Sequence, residues 1–491
     1  MAAFAGSARA GDWTVKPRLT LAESYLDNVT LAPSGKEQWD MITEVNPGVE
    51  IDGRGARVRG HLNYQLQNLV SLRNSDRNNT YQQLSATGDA ELTKNWFYLD
   101  AKSSIRQSII SATAPISADN LHTTNNRTNV YTYTLSPYMR HNFGGWVNSL
   151  LRYTHQGVNY ATGAADANIN AVQARFSGGR RFSRLGWSLD YQKKNVNRTN
   201  AFDARYESST ANVRYRLTDT VSLLGQAGYE NNKYRSSRNI QNGSYWGAGL
   251  GWTPSRHFSA QALKGDRFET ASVTVSPSPR TSMTATYRKR GVGLNPGVVW
   301  SGTARLATRN TSWQAKYLES TTTVQQLSAT RLLLVGCIDA LGQPVPYGSP
   351  DAVVCRGVPI DLLSLTNEEI VRKRGSLTAG FKTAKSGFRV TLFDERREYQ
   401  LSNVTERTKG ARTSWNWRFS GRTRSLMSLN WQRTHFLNRQ GDYWVFREAL
   451  IRRISPKLTS ALEYQHTTRT TDQIGGDYDS NRVTARVTMY F

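Results

Sequence analysis

Apolar residues recur at every second position in short segments that follow one another along the whole chain, about every 20 residues. A period of two puts alternate side chains on opposite faces of a β-strand, so each segment has one greasy face and one wet face. The last segment shows this plainly. Val483, Ala485, Val487, Met489 and Phe491 fall on one face, and Arg482, Thr484, Arg486, Thr488 and Tyr490 fall on the other. Earlier segments repeat it: Trp13, Val15, Pro17, Leu19 and Leu21; Val58, Gly60, Leu62, Tyr64 and Leu66; Tyr131, Tyr133, Leu135, Pro137 and Met139; Trp415, Trp417 and Phe419. A strand with hydrocarbon on one side and water on the other belongs in the wall of a membrane barrel.

The connections alternate between short and long. Short ones carry turn chemistry, as in Asp52-Gly53-Arg54-Gly55, Thr218-Asp219 and Ser455-Pro456-Lys457. Long polar ones run from Leu26 to Asp40, Gln107 to Arg127, Glu230 to Asn242 and Thr467 to Asp479. Short periplasmic turns and long external loops are the outer-membrane pattern. The expected fold is all-β, a transmembrane antiparallel up-and-down β-barrel of about 24 strands, within a range of about 22–26. A soluble sandwich or solenoid also alternates, but does not sustain so many amphipathic strands with alternating connections. The first strand begins almost at residue 11, so no separate plug domain is expected.

Composition agrees. Mean hydropathy is -0.58, and no run approaches the roughly 18 apolar residues that a helical span needs. The 23 Tyr and 13 Trp are many for so polar a chain. Trp13, Tyr25, Tyr64, Tyr153, Tyr191, Trp252, Tyr287, Trp431 and Tyr464 sit near segment ends, where interfacial girdles form. The segment Met1–Ala10 reads as the residual tail of a signal peptide, with Ala8-Arg9-Ala10 as the small-residue cleavage pattern before Gly11. The domain reading is therefore a tail over 1–10 and a barrel over 11–491, exported to the bacterial outer membrane.

The formal net charge is +26, and much of it falls on wet faces. Lumen candidates are Arg57, Arg59, Arg214, Arg216, Arg288, Arg305, Arg372, Arg374, Arg389, Arg412, Arg418, Arg482 and Arg486. Facing lipid, such a charge costs about 2–4 kcal/mol at mid-depth, so parity turns them inward. Rings of Arg and Lys in a pore select anions. Few carboxylates share those faces, Asp190 and Glu463 among them, so complete internal pairing is not expected. About 24 strands leave a wide hole, which an inserted loop, a partner protein or a transported polymer must fill. One loop, 318–370, far exceeds ordinary connection lengths. It carries both cysteines, Cys337 and Cys355, and a disulfide between them is the expected state of an exported loop. Metal binding by two thiols without a nearby His is the alternative. No catalytic, metal or cofactor motif appears, so neither an enzyme nor a cofactor is expected.

Two resemblances add to this. A closing strand that stops on an aromatic residue resembles the assembly signal of bacterial outer-membrane barrels, which makes Phe491 the expected contact for the barrel assembly machinery. The opening Trp13-Thr14-Val15-Lys16-Pro17, with Glu23, Tyr25 and Asp27-Asn28-Val29, then Val45-Asn46-Pro47-Gly48-Val49 and Gly53-Arg54-Gly55, resembles outer-membrane barrel proteins associated with PEP-CTERM/exosortase exopolysaccharide loci. The match covers the first two hairpins and continues weakly through Leu92 to Ala101. It implies a Gram-negative setting of envelope polysaccharide synthesis and export, with no catalytic residues to carry over. The resulting expectation is a porin-like, anion-selective conduit for anionic exopolysaccharide or related solutes. A sheath barrel housing a periplasmic partner protein is the alternative. Expected partners are outer-membrane lipid, lipopolysaccharide and an anionic polysaccharide or periplasmic protein, and not nucleic acid.

Overall fold

The computed structural model describes residues 11–491 apart from 112–113, 118, 237–239, 295, 331–335, 340–343, 347–351, 356–364, 438 and 474. The signal-peptide expectation for 1–10 lies outside the described residues. The strands are β1 (Asp12–Leu26), β2 (Asp40–Arg54), β3 (Val58–Ser71), β4 (Asn79–Thr93), β5 (Phe97–Ile109), β6 (Arg127–Phe143), β7 (Val147–Tyr160), β8 (Ala167–Gly178) and β9 (Leu185–Arg198). They continue with β10 (Ala204–Arg216), β11 (Val221–Glu230), β12 (Gly243–Ser255), β13 (Phe258–Gly265), β14 (Phe268–Ser278), β15 (Thr281–Arg290), β16 (Gly297–Ala307) and β17 (Thr311–Thr323). A helix α1 (Val324–Thr330) and the short strands β18 (Gly336–Asp339), β19 (Pro344–Pro346) and β20 (Ala352–Cys355) follow in one connection. The wall resumes with β21 (Glu369–Lys382), β22 (Ser386–Tyr399), β23 (Thr405–Arg418), β24 (Thr423–Phe436), β25 (Arg439–Ser455), β26 (Leu458–Thr471) and β27 (Tyr478–Tyr490).

Twenty-four of these form one sheet in which each strand pairs antiparallel with its neighbours in the chain, β17 pairing with β21 across the long connection. The sheet closes on itself where β1 meets β27, from Arg18 opposite Tyr490 to Leu26 opposite Arg482. Closure removes every edge, which is what lets a sheet stand in hydrocarbon with its backbone satisfied. The outward faces carry the apolar and aromatic residues of the alternation. Trp13, Val15, Leu189, Trp300, Leu392, Trp415 and Val483 are all exposed there. A closed barrel of this size with an apolar, aromatic-flanked outer face is a bacterial outer-membrane protein.

Prolines in this wall have a local explanation. The β2–β3 ladder skips from Val45 opposite Asn68 to Gly48 opposite Gln65. Pro47 sits in that gap, so its missing N–H interrupts nothing. The Asn46 side chain replaces the lost backbone acceptor by taking the Asn68 N–H at 3.1 Å. Pro137 occupies a similar gap, between Leu135 opposite His155 and Tyr138 opposite Arg152. Pro17 lies one residue beyond the β1–β27 ladder, and its carbonyl accepts the Phe491 N–H at 3.0 Å.

Two features depart from the all-β, evenly alternating expectation. The 324–368 connection contains a helix and a three-stranded sheet ordered β19-β18-β20. On the outer side, β13 passes to β14 over residues 266–267 alone. β13 has only 8 residues, whereas β25 has 17. The alternation of connection lengths therefore breaks at this hairpin, and again where 437–438 join β24 to β25.

Candidate transport pathway

The inner face changes character along the barrel axis. Near the outer ends of the strands it carries apolar clusters set among buried polar pairs. Val130, Val158 and Tyr160 form one buried cluster, with Ala164 and Leu365 against it. Val324, Ile370 and Tyr399 form another, with Leu327, Val404 and Phe436. These residues stand at inward positions, and they are buried because loops fold over them. The outer mouth is thus built like a small protein core, driven by removal of apolar surface from water.

Direct bonds hold those loops across the mouth. The Leu365 N–H donates to the Ile110 carbonyl at 2.8 Å, and the Ala165 N–H to Asn367 Oδ1 at 2.9 Å. Gln325 Nε2 reaches the same Asn367 oxygen at 3.3 Å. The root of the long connection is therefore tied to the β5–β6 and β7–β8 loops on another part of the ring. Arg198, the last residue of β9, makes a 2.9 Å ion pair with Glu369, the first residue of β21, and both side chains are buried. Tyr206 on β10 donates to the same carboxylate at 3.1 Å. β9 and β21 stand nine strand positions apart in the sheet. With strands about 4.8 Å apart and tilted by about 40°, a round 24-strand ring would be about 48 Å across and would hold such positions about 40 Å apart. The outer end is therefore drawn in from its opposite sides.

The β5–β6 loop, 110–126, forms a second closure. Its described residues lie along the lumen side of β3, β2, β1, β27, β26 and β25. Leu121 packs with Leu26, Val29, Ile42 and Leu69, and Ile116 with Ile109, Tyr443 and Val445. Tyr478 Oη accepts the Ile116 N–H at 3.2 Å. Asp119 is ion-paired with Arg482, which also pairs with Glu463. His122 Nδ1 lies 3.1 Å from Asp119, and its Nε2 lies 3.1 Å from Ser480 Oγ. Arg127 donates to Asn120 Oδ1 at 2.6 Å, and Asn120 Nδ2 to Gln67 at 2.9 Å. Burial alone would raise the Asp119 carboxyl. The charge of Arg482, then that of His122 with a hydrogen bond from its ring, outweighs burial and holds Asp119 well below its ordinary 3.8.

The basic residues expected in the lumen divide along the axis. In the outer half Arg372, Arg374 and Arg482 are ion-paired. Glu395 Oε2 accepts from Arg372 and Arg374, both at 2.6 Å, and its Oε1 accepts from Arg397 at 2.6 Å. Arg397 continues to Glu406 at 2.8 Å, which Tyr399 also reaches. Phe393 lies between two guanidinium groups, Arg374 at 4.9 Å and Arg412 at 4.7 Å from its ring centre. Arg288 stands beside Arg290, which pairs with Glu230 at 3.2 Å. In the inner half, Arg59, Arg214, Arg216, Arg305 and Arg389 are exposed at inward positions near the strand ends. Among the described residues they make no ion pair, and neither does the half-buried Arg486. Arg418 closes β23 and donates to the Ala384 carbonyl. Arg57 is not in the wall; it lies in the 55–57 turn between β2 and β3.

Several residues of the closure were not marked by alternation: Asp119, His122, Arg198, Glu369 and Glu395. Inward valines at the outer strand ends, Val130, Val158 and Val196, are the available signal, since an apolar side chain in a wet lumen implies a cover. Cys337 stands opposite Cys355 in the β18–β20 register, while their side chains lie outside the described residues. Among the described residues there is no cluster of three or more metal-ligating side chains.

No protein-family model and no curated protein matches the sequence. Solved structures do. The siderophore receptor PirA from Pseudomonas aeruginosa matches at 8% identity with a TM-score of 0.42, over 98% of this chain and 81% of that one. The FrpB iron transporter from Neisseria meningitidis, F3-3 variant, matches at 10% identity and 0.47, over 98% and 82%. PirA from Acinetobacter baumannii matches at 8% and 0.45, over 97% and 80%. One expectation is corrected here, that of a barrel with no separate plug domain. The matched receptors are of a kind that carries one, and about a fifth of each lies outside the match. The described residues of this chain are barrel strands and their connections.

Proposed function

We propose that this chain is an outer-membrane conduit for anionic solutes, narrowed at its outer mouth by its own loops and open to the periplasm through a basic vestibule. The observation that carries this reading is a set of inner-end arginines that make no ion pair among the described residues, beside Arg152 and Arg175, which pair with Asp100 and Asp190. Outer arginines pair with Glu395, Glu406, Glu463 and Asp119. The inner Arg59, Arg214, Arg216, Arg305 and Arg389 remain exposed without an ion pair among the described residues. Structural ion pairs fix a shape, whereas uncompensated cations in a low-dielectric tube attract anions. Spreading them over separate strands keeps each contact weak, so a bound anion can leave again.

The resemblance of the first two hairpins to exosortase-linked barrels makes an acidic exopolysaccharide the first cargo class to examine. The test is ion selectivity in planar bilayers, with an acidic polysaccharide, a neutral polysaccharide and a ferric siderophore compared as blockers. Anion selectivity and block from the periplasmic side by the acidic polymer are expected. Cation selectivity, or equal block by the neutral polymer, would overturn the reading.

A further inference from the structure

On the hydrocarbon face, β8 to β11 form a furrow of about 460 Å³. Its floor is made of small residues. Ala211 on β10 stands opposite Ala227 on β11, and Ser209 opposite Tyr229. Its sides are large: Leu189 and Tyr191 on β9, and Tyr229 on β11, of which Leu189 and Tyr229 are about half exposed. A barrel wall facing only fluid lipid has no need of such relief, since lipid chains are as apolar as the side chains they meet.

The furrow has a polar head at its outer end. Lys193 follows Tyr191 on the same outward face of β9 and stands opposite Glu207 on β10. Two residues further out, Arg205 stands opposite Asn195 and donates to it at 3.2 Å. Arg205 is also bridged through its backbone to Lys233, and both side chains are exposed. Glu207 accepts the Tyr191 hydroxyl at 2.8 Å, which fixes that ring as one side of the furrow. Lys193, Arg205 and Glu207 thus share the outward face at the outer end of β9 and β10, with Lys233 beside Arg205, above the furrow.

We propose that this furrow is a specific binding site for a phosphate-bearing acylated lipid of the outer leaflet. One acyl chain lies over Ser209, Ala211 and Ala227, and the phosphate lies among Lys193, Arg205 and Lys233. Charge complementarity selects the headgroup, and the small floor selects an acyl chain over a bulkier group. Juxtamembrane Lys and Arg attract anionic lipid individually; here they are placed over a slot that holds the same molecule's tail.

The test uses the full chain, delipidated in detergent and incubated with bisphosphorylated lipid A or with its dephosphorylated form, with retention counted by native mass spectrometry. One retained lipid A, preferred on the order of tenfold over the dephosphorylated form, is expected. Ala211→Trp fills the floor, and the pair Lys193→Gln and Arg205→Gln removes the head. Each is expected to lower retention on the order of tenfold, while the barrel still shows its heat-dependent shift in electrophoresis. Ala227→Phe fills the same floor from the next strand and stands in should the tryptophan variant fail that folding check. Equal retention of the two lipids, or wild-type retention in either folded class of variant, would overturn the proposal.

Discussion

Arg198 and Glu369 lie 2.9 Å apart in a buried ion pair, although their strands stand nine places from each other around the ring. The pair gives the outer mouth a fixed width. Removing one partner strands a buried charge, at a cost of about 3–5 kcal/mol. Glu369→Gln is therefore expected to lower the thermal unfolding midpoint and to raise single-channel conductance. Arg198→Met with Glu369→Leu, which buries no charge, is expected to recover most of the midpoint. Unfolding followed by heat-modified electrophoresis, with conductance in bilayers, checks both.

The Asp119–Arg482 contact predicts how the β5–β6 loop responds to acid. The folded carboxyl is held well below the unfolded value of about 3.9. A lowered carboxylate stabilises the latch above that value, and the contribution is lost as pH falls through the still lower folded value. The carboxylate's own share of the latch is therefore expected to be lost, and conductance to rise, only in strong acid. Asp119→Asn is expected to raise conductance at neutral pH, and a pH series on both proteins measures it.

Arginines at the inner end are expected to set selectivity, and turn arginines are not. Replacing Arg214, Arg216, Arg305 and Arg389 with Gln is expected to shift the reversal potential towards cations. Arg57→Gln, in the 55–57 turn, is expected to leave it unchanged. Reversal potentials in a salt gradient distinguish them.

Cys337 and Cys355 occupy paired positions on neighbouring antiparallel strands, a spacing of about 5 Å that a disulfide can span. The exported protein is expected to resist alkylation at both until it is reduced. Alkylation mass spectrometry with and without reductant shows it.

Phe491 joins the ends of the chain through its N–H to Pro17. Its deletion is expected to lower the yield of folded barrel without changing the selectivity of the barrels that do fold. Quantifying folded protein in outer membranes checks this.

The wall was legible in the sequence because a strand's period is short and local. Val483 to Phe491 reveal their two faces without reference to anything else. The inward turn of Arg59, Arg214 and Arg389 follows from the same parity. The closure was not legible, because it depends on contacts between distant segments. Nothing near Asp119 announces Arg482, and nothing near Glu369 announces Arg198. Glu395 was overlooked because it lies among the basic residues Arg396 and Arg397, and only the β21–β22 register brings Arg374 opposite it. The place of Pro47 in the wall likewise depends on a ladder gap beside Asn46 that only the β2–β3 pairing reveals.

The short β13 has a consequence for the shape of the rim. Eight residues there against 17 in β25 amount to a difference in height on the order of 20 Å. The outer rim therefore dips at the β13–β14 hairpin, beside the longer β12. Whatever passes through clears the wall on the β13 side first, so arriving and departing molecules meet a notched lip rather than a level opening.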